Sequence, residues 1–233
     1  MSIRVAINGF GRIGRAFFKL GFEEEDIEIV AINDLGDVHN MAYLLQYDSA
    51  QGYTDYDIEV AEDQHTMTVD GKEIRIFAEK NPVDLPWGDH DIDVVVESTG
   101  FFTKYEDAGL HLQAGAKRVV ISAPAKGEAT GDIVGATVLM GVNEEKLATC
   151  NVTSNASCTT NAGSPIMKIL SEKIGIEKAL LNTIHSYTAS QPLVDSPSHK
   201  DFRLGRAGAT LGERLWWLGI GGYRLVLCTH AAL

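Results

Sequence analysis

A chain of 233 residues with 45% hydrophobic content can bury a substantial core, as one large or two modest domains. Its formal net charge of -12 excludes nonspecific attachment to nucleic acid or anionic membrane, because the overall field repels phosphates and any phosphate-bearing ligand must be held by local donors. Cys150, Cys158 and Cys228 show neither paired nor metal-ligand spacing, no signal-peptide pattern opens the chain, and no apolar run is long enough to span a bilayer. The expectation is therefore a soluble, cytoplasmic protein without a metal site.

Ile3 to Asn8 is a short β-branched run, followed by a glycine cluster, an amphipathic stretch to about Phe22 and a second β run from Ile27 to Ile32, which reads as a βαβ unit. Between Asp57 and Phe77 the pattern alternates, with a hairpin turn at Asp70-Gly71, so an antiparallel excursion interrupts a parallel sheet. Asp93 to Glu97 resumes the buried-strand pattern. Thr103-Lys104-Tyr105-Glu106 has capping-box spacing and predicts a helix to about Ala114, with Lys117 to Ser122 as the next strand. Ile133 to Met140 and Val152 read as further strands, the segment after Cys158 through Ser171 as a helix, and Ile176 to Thr188 as a long strand.

Gly9-Phe10-Gly11-Arg12-Ile13-Gly14 satisfies G-x-G-x-x-G where the mechanism requires it, after a strand and at a helix start. Gly9 permits the tight turn, Gly11 lets backbone approach a pyrophosphate, and Gly14 lets helix lie close to strand. The helix N-terminus offers free N–H donors and a positive dipole. Asp34, about twenty residues further on, ends the second strand, where a carboxylate accepts from both ribose hydroxyls and repels a 2′-phosphate, favouring NAD over NADP. The plain alternative, an ordinary glycine turn and a solvated acid, loses ground to the combination of motif, strand, helix and acid. Ser98-Thr99-Gly100, after the strand ending at Glu97, either lines the same crevice or is a simple strand-to-helix turn.

Ser154-Asn155-Ala156-Ser157-Cys158-Thr159-Thr160-Asn161 is small and polar and precedes a helical segment, so Cys158 sits where a helix dipole and unpaired N–H groups favour thiolate. His185 lies on the following strand candidate and, if that strand packs beside the helix, could exchange protons with thiol and substrate. An isolated cysteine is more often a small buried hydrophobe, a reading that the polar octet weakens at Cys158 and that stands for Cys150 and Cys228. His39, His65, His111 and His199 have polar or charged sequence neighbours and read as surface residues.

Ala6 to Arg15, Ser154 to Asn161 and His185-Ser186-Tyr187-Thr188-Ala189 together resemble the signature segments of phosphorylating glyceraldehyde-3-phosphate dehydrogenases, from about Met1 to about Thr210. The resemblance implies an α/β fold, with a Rossmann-type parallel-sheet NAD domain over 1–156 and an incomplete α+β catalytic domain over 157–210. A tail over 211–233 does not match; it reads as the frameshifted or misassembled end of a longer gene. It also implies a cytoplasmic homotetramer that oxidises and phosphorylates glyceraldehyde 3-phosphate, with inorganic phosphate as second substrate. Erythrose 4-phosphate oxidation and NAD binding without turnover are the alternatives. Residue by residue, it makes Cys158 the nucleophile and His185 its base. Gly9, Gly11, Arg12, Ile13, Asp34, Thr99 and Ser122 would contact NAD, and Lys80 stands where many members carry arginine near the adenine. Ser157, Thr159 and Thr188 would hold phosphate groups beside Cys158.

Overall fold

The structure is a computed structural model that describes residues 2–183, 185, 187–189, 191–198, 202–208 and 226–227. The chain divides into two compact units, Met1–Asn161 and Ala162–Ala232. In the first, β1 (Ile3–Asn8), α1 (Arg12–Gly21) and β2 (Ile27–Asn33) form the expected βαβ unit, with the two strands parallel. α2 (Val38–Gln46) follows, then a small antiparallel pair, β3 (Tyr47–Asp48) with β4 (Gly52–Tyr53). β5 (Ile58–Val60), β6 (Thr66–Val69) and β7 (Lys72–Phe77) make the antiparallel excursion. Its turn has positive φ at both Asp70 (47°) and Gly71 (78°), the geometry that matches the twist of the flanking strands. β8 (Val94–Glu97), α3 (Tyr105–Ala108), α4 (Leu110–Gln113), β9 (Arg118–Ile121), β10 (Gly135–Thr137) and β11 (Val152–Ser154) complete this unit.

These strands form one sheet of order β10-β11-β9-β8-β1-β2-β7-β6-β5 among the described residues, parallel from β10 through β7. Parallel strands need both faces covered. Neighbours on β1 divide accordingly: Ala6 joins one buried cluster, with Trp87, Val95 and Val119, and Ile7 another, with Phe18, Leu45 and Ile74. The Rossmann-type parallel sheet expected from the sequence is present.

Two local expectations need correction. Thr103 does not cap a helix: its carbonyl accepts from Lys126 N–H at 2.8 Å and Lys104 bridges Lys126, so the chain stays extended until Tyr105. Glu106 accepts from Thr130 Oγ1 at 3.2 Å instead of closing a box, and the helix is two short pieces around Gly109. The strand expected over Ile176 to Thr188 is only β12 (Asn182–Thr183) among the described residues, paired in parallel with β13 (Val226–Leu227). Strand length is set by what a strand pairs with, and this pairing covers two residues. α5 (Cys158–Lys173) starts where expected. The tail from 211 otherwise lies outside the described residues.

Candidate functional site

After β1 the chain proceeds to β2 and β7 on one side, whereas β8, β9 and β11 stack on the other. The loops after β1 and β8 therefore diverge at the carboxyl ends of adjacent strands, and a crevice opens at this switch point. Asn8 and Glu97, the last residues of the two strands, face each other in register.

The three motif glycines occupy different environments. Gly9 has φ +93°, and a Cβ there would lie 2.6 Å from Thr99 N, so the two loops touch backbone to backbone. At Gly14 a Cβ would meet Gly9 O at 2.1 Å, which lets α1 close onto the end of β1. Gly11 has nothing within 4 Å of a Cβ among the described residues and stands at the N-cap of α1, without a side-chain cap. The buried Arg15 donates from Nη1 to Phe10 O at 2.9 Å and braces the loop from behind. Desolvation lowers the pKa of that guanidinium, Asp48 nearby opposes the shift, and Arg12 adds to it.

A cleft of about 450 Å³ lies over these loops. Of the residues expected at a dinucleotide, Gly9, Gly11, Asp34, Lys80 and Thr99 line it. Arg12 and Ile13 are exposed on the first turn of α1, and Ser122 is half-buried after β9, its N–H donating to Glu97 O at 2.9 Å; none of these three is among the lining residues. Asp34 accepts from Phe10 N–H at 2.6 Å through Oδ2 and from Gly36 N–H at 2.8 Å through Oδ1. A carboxylate has about four acceptor sites, so two remain for ligand hydroxyls.

Sequence reasoning missed the apolar rim and the polar floor of this cleft. Leu35, Phe101 and Phe102 line it, and Phe101, 84% exposed, presents a large apolar surface. Beneath lie Asn8, Asn33, Glu97 and His111, all buried. His111 is thus no surface residue: its ring is fully buried, accepts from Trp87 Nε1 at 2.9 Å through Nδ1, and places Nε2 3.1 Å from Glu97 Oε2. The surface reading overlooked Leu110 and Leu112 on either side of it, and α4 turns His111 inward as its buried residue. The available signal was a polar side chain closing each of three apolar strands, at Asn8, Asn33 and Glu97.

The second group of expected residues begins at the far end of β11. Ser154 is buried, donates to Ala123 O at 2.7 Å and accepts from Ala125 N–H and Ala156 N–H, each at 3.1 Å. Ala156 takes φ +58°, turning the chain sharply into α5. Ser157 Oγ then accepts from Thr160 N–H at 3.1 Å and contacts both the Thr159 and Thr160 hydroxyls, which caps the helix. Asn161, itself exposed, ties the turn by donating to Asn155 O at 2.7 Å and Ser157 O at 2.9 Å. Cys158, the first residue of α5, is exposed, while Cys150 is buried. His185 and Thr188 are half-buried residues of the second unit, where Thr188 N–H donates to Gln191 Oε1 at 3.2 Å. No group of three or more His, Cys, Asp or Glu suited to a metal occurs among the described residues.

Two family models match this chain. The glyceraldehyde 3-phosphate dehydrogenase NAD binding domain matches residues 3–105 and the C-terminal domain of the same enzyme matches residues 157–211. Similar curated proteins include glyceraldehyde-3-phosphate dehydrogenase 2 of Streptomyces avermitilis, 53% identical over 212 residues, which are 90% of this chain and 61% of that protein. Glyceraldehyde-3-phosphate dehydrogenase 1 of Bacillus subtilis is 50% identical over 90% of this chain and 60% of its own length. The Thermotoga maritima enzyme of that name is 52% identical over 88% and 60%. The chain thus spans about 60% of the length of the curated relatives it matches.

Proposed function

The chain belongs to the glyceraldehyde 3-phosphate dehydrogenase family, and on that footing we propose that it serves the oxidation of glyceraldehyde 3-phosphate, with inorganic phosphate, to 1,3-bisphosphoglycerate at the expense of NAD. The observation that carries this reading is the exposed Cys158 thiol on the first residue of α5, behind a turn pinned by Ser154, Ser157 and Asn161.

The residues at the crevice fit a dinucleotide. Gly11 leaves open space at a helix N-terminus, where free N–H groups favour a pyrophosphate, and Asp34 keeps acceptor capacity for ribose hydroxyls. Leu35 and Phe101 offer apolar surface at the rim for a flat ring. NAD, when bound, supplies the acceptor for the hydride released from the substrate carbon.

In the proposed chemistry the Cys158 sulfur adds to the aldehyde carbon, forming the C–S bond of a hemithioacetal, and His185 takes the proton. The N–H groups opening α5 stabilise the oxyanion. Loss of hydride from the former aldehyde carbon leaves a thioester on Cys158. A phosphate oxygen then attacks that carbon, the C–S bond breaks, and the thiolate returns with release of the acyl phosphate. Ser157, Thr159 and Thr188 supply hydroxyls for the phosphate groups of the substrates, which is how an acidic chain holds anions: by local donors rather than by net charge. In this reading 157 onward opens the catalytic part and 1–156 the nucleotide part, and the protein works as a homotetramer in the cytoplasm.

Mass spectrometry of the intact protein after exposure to glyceraldehyde 3-phosphate and NAD without phosphate tests it. A phosphoglyceroyl adduct on Cys158, released by added phosphate, is the expected result; absence of any adduct contradicts the mechanism. A second reading, a NAD-binding module without turnover, is favoured by the containment of the lining residues, from Asn8 to Phe102, within the segment matched to the NAD binding domain. It predicts NAD binding with no adduct. Comparing kcat/KM for glyceraldehyde 3-phosphate and erythrose 4-phosphate decides between the two aldehydes.

A further inference from the structure

Four donors converge on one buried carboxylate under the crevice. Glu97 is 1% exposed; its Oε2 accepts from Asn8 Nδ2 and from His111 Nε2, and its Oε1 from the Thr99 N–H at 2.9 Å and from the Thr99 hydroxyl. The direction of the histidine bond is fixed from the other side. An indole N–H only donates, so Trp87 obliges His111 Nδ1 to accept and leaves the ring proton on Nε2, facing Glu97. Thr99 in turn accepts from Phe101 N–H at 3.1 Å through its hydroxyl, so Glu97 holds Thr99 and, through it, Phe101, beside the direct tie of Ser98 Oγ to Gly9 O at 2.7 Å.

The network continues across the sheet. Asn8 Oδ1 accepts from Asn33 Nδ2 at 2.6 Å. Asn33 also exchanges two bonds with the Glu79 backbone, donating to its carbonyl at 2.9 Å and accepting from its N–H at 2.8 Å. Every strand end that contributes to the cleft is thereby tied to its neighbour: β1 before Gly9, β2 before Asp34, β7 before Lys80 and β8 before Thr99. A fold needing only to fill space here would use apolar side chains, since a buried polar group is costly unless every partner is in place. Full satisfaction instead fixes where each loop starts.

We propose that Glu97, held by the Trp87–His111 pair, is the positioning residue of the dinucleotide site: it sets Thr99 and the β8 loop against the glycine loop, and so sets affinity for the cofactor. The inference rests on the NAD reading above. Glu97→Gln keeps shape but replaces an acceptor by an amide N–H, which must then face at least one of the four donors. Thr99 is the partner at the cleft surface, so the damage appears in binding.

The test is NAD titration of the full chain by calorimetry, with thermal melting of each variant. Glu97→Gln is expected to raise the Kd at least tenfold. His111→Gln, whose amide can accept from Trp87 and donate to Glu97, is expected to stay within about threefold of wild type, whereas His111→Leu, similar in bulk without either bond, matches the loss of Glu97→Gln. Thr99→Val weakens NAD alone and adds nothing in the Glu97→Gln background. A role in packing alone would make the two His111 variants equal and the Glu97 and Thr99 effects additive, and that outcome overturns the inference, as does unchanged affinity in Glu97→Gln. Should Glu97→Gln fail to fold, the two His111 variants decide by themselves. No NAD binding by the wild type overturns the cofactor reading and this inference together, which distinguishes the two failures.

Discussion

Gly11→Ala separates what the glycine loop does for binding from what it does for folding. The N-cap position has φ -72° and ψ -159°, which alanine adopts, and an added Cβ meets no atom within 4 Å among the described residues. Stability should change by no more than about 1 kcal/mol, the margin by which glycine is preferred over alanine at an N-cap. The same methyl would stand where a pyrophosphate must approach the N–H groups of α1. Losing one charge-assisted hydrogen bond costs about 1.5–3 kcal/mol, or roughly tenfold to a hundredfold in Kd. Gly14→Ala is the contrast: its Cβ falls 2.1 Å from Gly9 O, so helix and strand must part. Overpacking of this kind costs about 1–3 kcal/mol or more, which lowers Tm by about 2–4 °C per kcal/mol in a unit this size. Calorimetric NAD titration and thermal melting of both variants read the two effects. Gly11→Ala binding NAD as tightly as wild type would refute the placement of the pyrophosphate at this helix end.

Other consequences follow from single contacts. Ser154→Ala removes three hydrogen bonds at a buried hydroxyl before Cys158 and should cost about 1–3 kcal/mol in chemical denaturation; an unchanged midpoint contradicts the pinned turn. Iodoacetamide should modify the exposed Cys158 well before the buried Cys150, read by peptide mass spectrometry; equal rates contradict the difference in burial. Asp34→Ala should weaken NAD and narrow its advantage over NADP, since the carboxylate is both acceptor and charge at the cleft; an unchanged NAD to NADP ratio of Kd values removes Asp34 from the selectivity argument. The Asp93 carboxyl is held below its ordinary value by the hydrogen bond from Lys117 at 2.6 Å and by Arg4 N–H at 2.9 Å. A depressed folded-state pKa contributes stability above the unfolded value of about 3.9 and loses it as pH falls through the folded value. Asp93→Asn should therefore lower Tm at neutral pH, with a difference that fades in acid below that range; a difference independent of pH contradicts this.

The order of strands and helices was legible where period and turn chemistry agreed. Ile3 to Asn8 and Ile27 to Ile32 are near-continuous apolar runs of a sheet buried on both faces, and Asp70-Gly71 supplies the two positive φ angles of its hairpin. The start of α5 was legible from the small polar residues before Cys158. Thr103 was not, because whether a threonine caps a helix depends on what its own backbone pairs with, here Lys126, which is distant in sequence. β12 failed for the same reason: periodicity records a face, and pairing depends on the neighbour. At the crevice the glycines and Asp34 were readable as a motif, but His111 was judged by its sequence neighbours and its partners, Trp87 and Glu97, arrive through the fold. A fully bonded polar floor looks like scattered polar residues until the strand ends are brought together.

In the proposed chemistry Cys158 carries the substrate as a thioester during a NAD-dependent oxidation. Rapid mixing of the protein with NAD and glyceraldehyde 3-phosphate, followed by NADH absorbance, tests it most directly. Wild-type protein is expected to give a burst approaching one NADH per active site before phosphate is added and steady turnover after, and Cys158→Ser neither. An undiminished burst in Cys158→Ser, or no NADH from wild-type protein that binds NAD, would contradict it.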